Sequence, residues 1–185
     1  TVRECRDFMK NYSEVENFNI YGNERYIYQY ISDKYPEIEV KFDIEKIKLT
    51  TIDIEVASEN GFPDVESCAE EVLLITLQDY TTKQIRTWGR GKFNNKQENV
   101  IYKGFNTEYE LLTDFINWWM IEDNTPEVIT GWNSKLYDIP YLCRRIDRML
   151  GEKLKKRMSP WGLVTEEETH IMGRKQISYD IGGVS

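Results

Sequence analysis

Residues 47–56, with the sequence IKLTTIDIEV, place two carboxylates inside a run of apolar and β-branched residues. Such a run predicts a β-strand, in which successive side chains point to opposite faces. Ile52 and Ile54 would share a buried face, while Asp53 and Glu55 stand together on the other face. Neighbouring carboxylates repel each other unless a cation lies between them, and Mg²⁺ or Mn²⁺ prefers such oxygen ligands. The strand therefore indicates either a metal site or a solvated acidic strand face.

A second segment of interest lies about eighty residues further along the chain. Residues 127–150 predict a short strand, a turn and then a helix, because apolar residues recur at helical spacing in the last part. Pro140 fits the first turn of that helix, and Gly151 fits its end. Asp138 would lie at the helix entrance just after the strand, where α/β sheets carry functional groups. A role as a helix N-cap that accepts backbone N–H bonds is equally open for Asp138.

Together the two segments resemble the first two exonuclease motifs of family B DNA polymerases. The run DIE at 53–55 is similar to the first motif, and GWNSKLYDIPYL from Gly131 to Leu142 is similar to the second. Among these enzymes the chain most resembles the replicative polymerases of tailed myophages. The resemblance covers nearly the whole chain and implies an α/β fold of the ribonuclease H-like type, a mixed sheet flanked by helices. Residues 46–185 would form the 3′→5′ exonuclease domain, and residues 1–45 the end of an N-terminal domain.

The resemblance also implies an activity, namely proofreading by two-metal hydrolysis of the terminal phosphodiester at a primer 3′ end. The cofactor would be Mg²⁺ or Mn²⁺. Asp53 would bridge both ions, Glu55 would hold the ion that activates water, and Asp138 would bind the second ion. The expected partners are DNA, with the primer 3′ end as a single strand, and the remaining polymerase domains.

Five residues are assigned DNA contacts by the same resemblance. Phe62 would touch the unpaired primer end, and Asn133 would lie near the substrate strand. A β-hairpin predicted over residues 163–181 would touch DNA with its tip, Met172, Gly173 and Arg174. Phe62 and the hairpin each have a structural alternative, since a loop phenylalanine beside a proline can be a packing anchor and a surface hairpin needs no ligand.

A third motif of the family, Tyr-x-x-x-Asp, does not occur in these 185 residues, since no tyrosine is followed four residues later by aspartate. Tyr179, for example, has Gly183 at that distance. We therefore expect an incomplete two-ion site in a chain truncated before its third motif, with weak metal binding and little or no exonuclease activity. Two other classes stay open: a non-catalytic module that binds single-stranded nucleic acid, and a structural domain.

Charge distribution bears on nucleic-acid binding more than the net charge of −8 does. Residues 144–157 contain seven Lys or Arg against two acidic residues, a local charge of +5, so the remainder sums to −13. Arg144, Arg145 and Arg148 fall off the apolar stripe of the predicted helix and are expected to face outward. They indicate either a solvated helix face or a surface that tracks phosphates.

Cysteine usage and hydropathy limit the compartment. Cys5, Cys68 and Cys143 are far apart and form no CxxC, which argues against a disulfide framework and against zinc, and predicts a reducing environment. No apolar run approaches the roughly 20 residues that a membrane helix requires, and we expect no signal peptide, because residues 1–12 are charged throughout. With the phage resemblance, this predicts the cytoplasm of the infected host cell. His170, the single histidine, lies in a polar stretch and is expected to be exposed.

The remaining elements follow from periodicity and turn residues. A helix at 108–121 would begin with a capping box of Thr107 and Glu110, and its aromatic stripe is expected in the core. The other expected elements are a helix at 2–17, strands at 26–32 and 38–44, an antiparallel meander of strands at 47–56, 72–78 and 84–88, a strand at 100–105, and a strand at 127–131 that joins the sheet in parallel.

Overall fold

The computed structural model describes residues 2–20, 26–36, 41, 43–59, 61–171 and 173–185. The chain divides into two compact units, residues 1–42 and residues 43–185. Helices α1 to α5 span Val2–Tyr12, Tyr26–Lys34, Glu108–Trp119, Asp138–Leu150 and Glu152–Lys155. Strands β1 to β7 span Leu49–Val56, Val72–Asp79, Ile85–Arg90, Val100–Phe105, Val128–Thr130, Val164–Ile171 and Arg174–Ile181.

The first unit contains α1 and α2, and it differs from the expectation at two places. The amphipathic helix predicted over 2–17 ends at Tyr12. The strand predicted at 26–32 is wrong, because this segment forms helix α2. The alternating aromatics there favour a strand, but a strand needs a partner, whereas a helix satisfies its own backbone and gains the bond from Gln29 to Asp33 one turn later.

The strand predicted at 38–44 falls mostly outside the described residues, which omit 37–40 and 42. Its last residue, Ile44, begins a short 3₁₀ turn that extends to Lys46, so a strand is wrong there. Asp43 caps this turn by accepting the N–H of Glu45 at 3.2 Å. A cap of this kind favours a helical turn over an extended chain.

A five-stranded sheet with the order β4-β3-β2-β1-β5 forms the centre of the second unit. The pairs β1–β2 and β2–β3 are antiparallel, which confirms the predicted meander. Strand β5 pairs with β1 in parallel, as expected, and β4 pairs with β3 in parallel. Helices flank this mixed sheet, so the prediction of an α/β fold of the ribonuclease H-like kind is confirmed.

The hydrophobic core lies between this sheet and helices α3 and α4. Its largest fully buried side chains include Ile52, Ile75, Trp88, Leu112, Phe115, Trp119, Tyr141, Leu142 and Ile146. Helix α3 begins with the predicted capping box, in which the Thr107 hydroxyl and the Glu110 carboxylate each accept the other residue's backbone N–H. Burial of Phe115 and Trp119 confirms that the aromatic stripe of α3 belongs to the core.

Strands β6 and β7 form a separate two-stranded antiparallel sheet, which confirms the predicted hairpin. His170 on β6 is exposed, as expected. Cys5, Cys68 and Cys143 are free. No helix in the described part of the chain is long and apolar enough to cross a membrane.

Candidate active site

The two carboxylates of β1 lie where strand periodicity predicts them. Ile52 and Ile54 are buried in the core, and Asp53 and Glu55 are exposed on the opposite face. Strand β2 covers one edge of β1 along its length, whereas β5 covers the other edge only from Leu49 to Thr51. Among the described residues, therefore, no strand pairs with one edge of the second half of β1, beside its two acidic side chains.

Gly131 turns the chain away from β1 at the end of β5. A Cβ at this position would lie 2.4 Å from the carbonyl oxygen of Ile52. At this distance a residue with a side chain fits only if the backbone moves. The turn continues through Asn133, whose φ of 58° lies in the left-handed region that asparagine tolerates. Its carbonyl oxygen accepts the N–H groups of Leu136 and Tyr137 at 3.0 and 2.9 Å. This compact turn delivers the chain to the start of helix α4.

Asp138 is the first residue of α4 and is only 4% exposed. Its Oδ1 accepts the backbone N–H of Ile54 at 3.0 Å. The N-cap of α4 is Tyr137, with no side-chain capping bond, so the alternative of Asp138 as an N-cap is wrong. Instead, Asp138 takes the β1 amide that a longer β5 would have bound. The carboxylate thus lies beside the backbone that joins Asp53 to Glu55.

Electrostatics at this edge disfavour a third negative charge. Burial raises the pKa of Asp138 above its ordinary value, the N–H of Ile54 lowers it, and the charges of Asp53 and Glu55 raise it further. A divalent cation relieves repulsion of this kind, and an all-carboxylate donor set fits a hard ion such as Mg²⁺ or Mn²⁺. Among the described residues, however, no three His, Cys, Asp or Glu side chains are gathered into a ready metal cage.

The predicted DNA contacts Phe62 and Asn133 line one cavity of about 470 Å³. Phe62 is 84% exposed, and its ring lies 5.1 Å from that of Tyr137, so it is no buried packing anchor. Tyr137 directly precedes Asp138, and burial together with the charges of Asp138 and Glu55 raises its pKa. The sequence interpretation did not include Tyr137 as a site residue, although its adjacency to Asp138 is the signal that indicates it.

The hairpin tip, which is predicted to touch DNA, is only partly described. Gly173 forms the turn with a φ of +75°, whereas Met172 and the side chain of Arg174 lie outside the described structure. The hairpin residues that line the cavity are Lys175, Gln176 and Ile177 on β7. No periodicity in the sequence indicates this approach, because it depends on how the hairpin packs against the loop that carries Phe62.

The arginines of α4 do not form the outward-facing set that was expected. Arg145 is only 6% exposed and forms a two-bond ion pair with buried Glu108, at 2.6 and 2.7 Å. Arg144 pairs with Glu166 of β6, and Arg148 is exposed but donates to backbone carbonyls. The expectation fails for Arg145 because buried Tyr141, one turn earlier, widens the buried face of the helix.

Known proteins are similar in sequence to this chain. A family model described as DNA polymerase family B, exonuclease domain, matches residues 8–185. The DNA-directed DNA polymerase of Enterobacteria phage T4 is 30% identical over 211 residues, covering 100% of this chain and 23% of that protein. The DNA-directed DNA polymerase of Escherichia phage RB69 is 28% identical over 184 residues, covering 86% of this chain and 20% of that protein.

A herpesvirus polymerase matches a shorter part of this chain. The DNA polymerase catalytic subunit of human herpesvirus 6A is 36% identical over 104 residues, covering 54% of this chain and 10% of that protein. The chain spans about a fifth of the length of the two phage polymerases. Residues 8–185, nearly the whole chain, match the model of the family B exonuclease domain. The chain therefore belongs to the family B DNA polymerases.

Proposed function

We propose that Asp53, Glu55 and Asp138 form the metal-binding part of a 3′→5′ exonuclease site that proofreads for a viral DNA polymerase. The observation that carries this proposal is the bond from the Ile54 N–H to Asp138. It brings a carboxylate from α4 to the stretch of β1 between the other two carboxylates. Exonuclease domains of this family generally depend on divalent metal ions, which agrees with a donor set made of carboxylates.

Each carboxylate has a distinct part in the proposed site. Asp53 and Glu55 are exposed and present their oxygens to a ligand on the open face of the sheet. Asp138 is held by the Ile54 N–H, so one of its oxygens is fixed and the other is left for a ligand. Two divalent ions bound by these groups would activate water and offset the charge that builds up on the phosphate oxygens.

The substrate that fits this arrangement is a single-stranded DNA 3′ end. The exposed ring of Phe62, supported by Tyr137, offers a stacking surface for a base, and stacking of this kind tolerates any sequence. Asn133 lies on the same cavity. We place the remaining polymerase domains among the partners, because this chain spans about a fifth of its phage relatives.

The same proposal includes the division of the chain into domains and the cellular location of the protein. Residues 1–45 would end an N-terminal domain, which is supported by the separate compact unit at residues 1–42. The family model begins at residue 8 and so does not mark that boundary. Phage relatives and free cysteines favour the cytoplasm of the infected host cell.

The experiment that tests the proposal is degradation of a 5′-labelled single-stranded oligonucleotide in Mn²⁺. We would compare this chain, a chain extended through the next Tyr-x-x-x-Asp segment, and the Asp53→Ala variant of each. Asp123→Ala is the matched control, because Asp123 is an exposed aspartate away from the site. We expect stepwise cleavage from the 3′ end by the extended chain, loss of that cleavage in Asp53→Ala, and no loss in Asp123→Ala.

Failure of the extended chain to cut DNA would overturn the nuclease assignment. Salt-dependent binding of single strands that ignores Mn²⁺ would then support the alternative of a non-catalytic binding module. That alternative has one specific observation in its favour, namely the lack of a three-ligand metal cage among the described residues.

A further inference from the structure

Five consecutive backbone carbonyls, those of residues 66–70, accept hydrogen bonds from side chains of helix α4. Arg144 donates to the carbonyl of Glu66, and Arg148 donates to those of Ser67 and Cys68. The carbonyls of Cys68 and Ala69 accept from Arg145, and that of Glu70 accepts from the Tyr141 hydroxyl. We call residues 61–70, which carry Phe62 at one end and the five carbonyls at the other, the Phe62 loop.

Arg145 is the buried centre of these contacts. Its Nη1 lies 3.0 Å from the carbonyl oxygens of both Cys68 and Ala69. Its other guanidinium nitrogens bind Glu108, the first residue of α3. The Glu108 Oε1 also accepts the N–H of Val72, where the chain enters β2. Arg145 thus joins α4 to α3 through an ion pair, and to the end of the Phe62 loop through two hydrogen bonds.

The same helix also fixes the catalytic edge. Asp138 at the start of α4 binds the Ile54 amide, and Tyr137 just before it contacts the Phe62 ring. The Phe62 loop, the chain segment that follows β1, is therefore held against α4 near Phe62 and again at the carbonyls of residues 66–70. A bidentate arginine pair suits this task, because its planar donors fix orientation as well as distance.

We infer that Arg145 is a positioning residue: through Glu108 and the carbonyls of Cys68 and Ala69 it holds the Phe62 loop so that the Phe62 ring stands against Tyr137 beside the carboxylates. This inference rests on the proposed function, since it assigns Phe62 the binding of a single-stranded 3′ end. Arg145 touches no substrate in this role. Its loss would displace Phe62 and weaken binding of the 3′ end by acting through that ring.

The first test observes Phe62 without DNA. All seven phenylalanines are replaced with 4-fluorophenylalanine, and the fluorine resonances of Phe62 and Phe115 are assigned with leucine variants. The test variant is Arg145→Met with Glu108→Gln, which removes both buried charges together and keeps an acceptor for the Val72 N–H. We expect the Phe62 resonance to move toward that of the free amino acid, and the core Phe115 resonance to stay in place.

Two further variants keep this test decisive. Arg145→Lys retains a charge for Glu108 but not the set of carbonyl bonds, and it should move the Phe62 resonance in the same direction. It therefore serves as the test if the double variant does not fold. Arg157→Lys is the control for Arg145→Lys, since it makes the same charge-conserving change in a side chain whose guanidinium lies against the Met120 sulfur. An unchanged Phe62 resonance in the double variant and in Arg145→Lys would overturn the inference.

The second test measures binding of a single-stranded oligonucleotide with 2-aminopurine at its 3′ end. Phe62→Ala and the Arg145→Met/Glu108→Gln variant should each weaken binding about tenfold, in the range for one lost base-stacking contact. Combining the changes should cause no further loss, because Arg145 acts through Phe62. Losses that multiply would overturn the inference. Failure of Phe62→Ala alone to weaken binding would instead overturn the proposed DNA contact, whatever the fluorine resonances show.

Discussion

The Asp138 carboxylate accepts the backbone N–H of Ile54 at 3.0 Å, although 84 residues separate the two in the chain. This bond occurs because β5 ends at Thr130, and no other strand of the described residues pairs with the second half of β1 on that edge. A side chain from α4 replaces the missing strand. The replacement places a carboxylate beside Asp53 and Glu55, which is the arrangement that the proposed exonuclease chemistry requires.

Replacing Asp138 with asparagine should stabilise the metal-free protein at neutral pH. The variant keeps an acceptor for the Ile54 N–H and removes a buried charge beside two carboxylates, an effect of about 1 kcal/mol. Since the pKa of Asp138 in the folded protein lies above its ordinary value of 3.8, the contribution of its protonated carboxyl to wild-type stability is lost as pH rises through that folded pKa. Urea unfolding from pH 3.5 to 7.5 measures the difference.

In Mn²⁺, the same urea unfolding should show the wild type to be more stable than Asp138→Asn. A cation bound at the carboxylates stabilises the folded wild type by mass action, and Asp138→Asn removes one of its ligands. Equal stabilisation of both proteins by Mn²⁺ would show that Asp138 is not a ligand. The control is Asp123→Asn, an exposed aspartate away from the site, which should respond to Mn²⁺ as the wild type does.

Gly131→Ala should destabilise the domain by about 2 kcal/mol, in the range for forced overpacking. A methyl group there would lie 2.4 Å from the Ile52 carbonyl oxygen and push the turn away from β1. The exposed neighbour Thr130→Ala is the control, with an expected cost below about 1 kcal/mol. Urea unfolding measures both, and equal costs would mean that the close approach at Gly131 does not constrain the turn.

Phe62→Ala should weaken binding of single-stranded DNA about tenfold and leave the free energy of unfolding within about 0.5 kcal/mol. The side chain is 84% exposed, so little apolar area is lost from the folded state. Phe93→Ala provides a matched control, because Phe93 is 65% exposed and its ring lies 5.4 Å from that of Tyr102. Fluorescence anisotropy measures the binding, and equal losses would indicate nonspecific aromatic contacts.

Glu166→Gln should loosen the β6–β7 hairpin at neutral pH. Arg144 lowers the pKa of Glu166 by hydrogen bonding, so this contribution is present above the ordinary value of 4.5 and is lost as pH falls through the folded pKa. The pair is partly exposed, and the expected loss is therefore below about 1 kcal/mol. Amide hydrogen exchange in β7 should rise in the variant at pH 7, and the difference from the wild type should shrink as pH falls below 4.5.

The neighbouring exposed Glu167→Gln serves as the control for the hairpin. It changes the same charge on the same strand without the Arg144 partner. Equal exchange in the two variants at pH 7 would indicate that net charge, and not the pair with Arg144, sets the stability of the hairpin.

Much of this fold follows from periodicity in the sequence. The alternation around Asp53 and Glu55 predicts which face of β1 is buried, and the capping box at Thr107 predicts where α3 begins, because both depend on residues close together in the chain. The strand predicted at 26–32 failed because local alternation cannot show whether a partner strand exists. The prediction that Arg145 faces outward failed for a similar reason. A charged residue is buried only where a distant partner, here Glu108, pairs with it.

Local sequence was enough to predict the residue types of the candidate site and the elements that carry them: two carboxylates on one strand face and a third at a helix entrance. How these groups meet depends on the packing of the whole domain. Contacts between distant segments determine the early end of β5, the close approach at Gly131 and the hydrogen bonds from α4 to the Phe62 loop. Local sequence fixes the direction of a side chain along its own element, whereas distances between elements are set by packing.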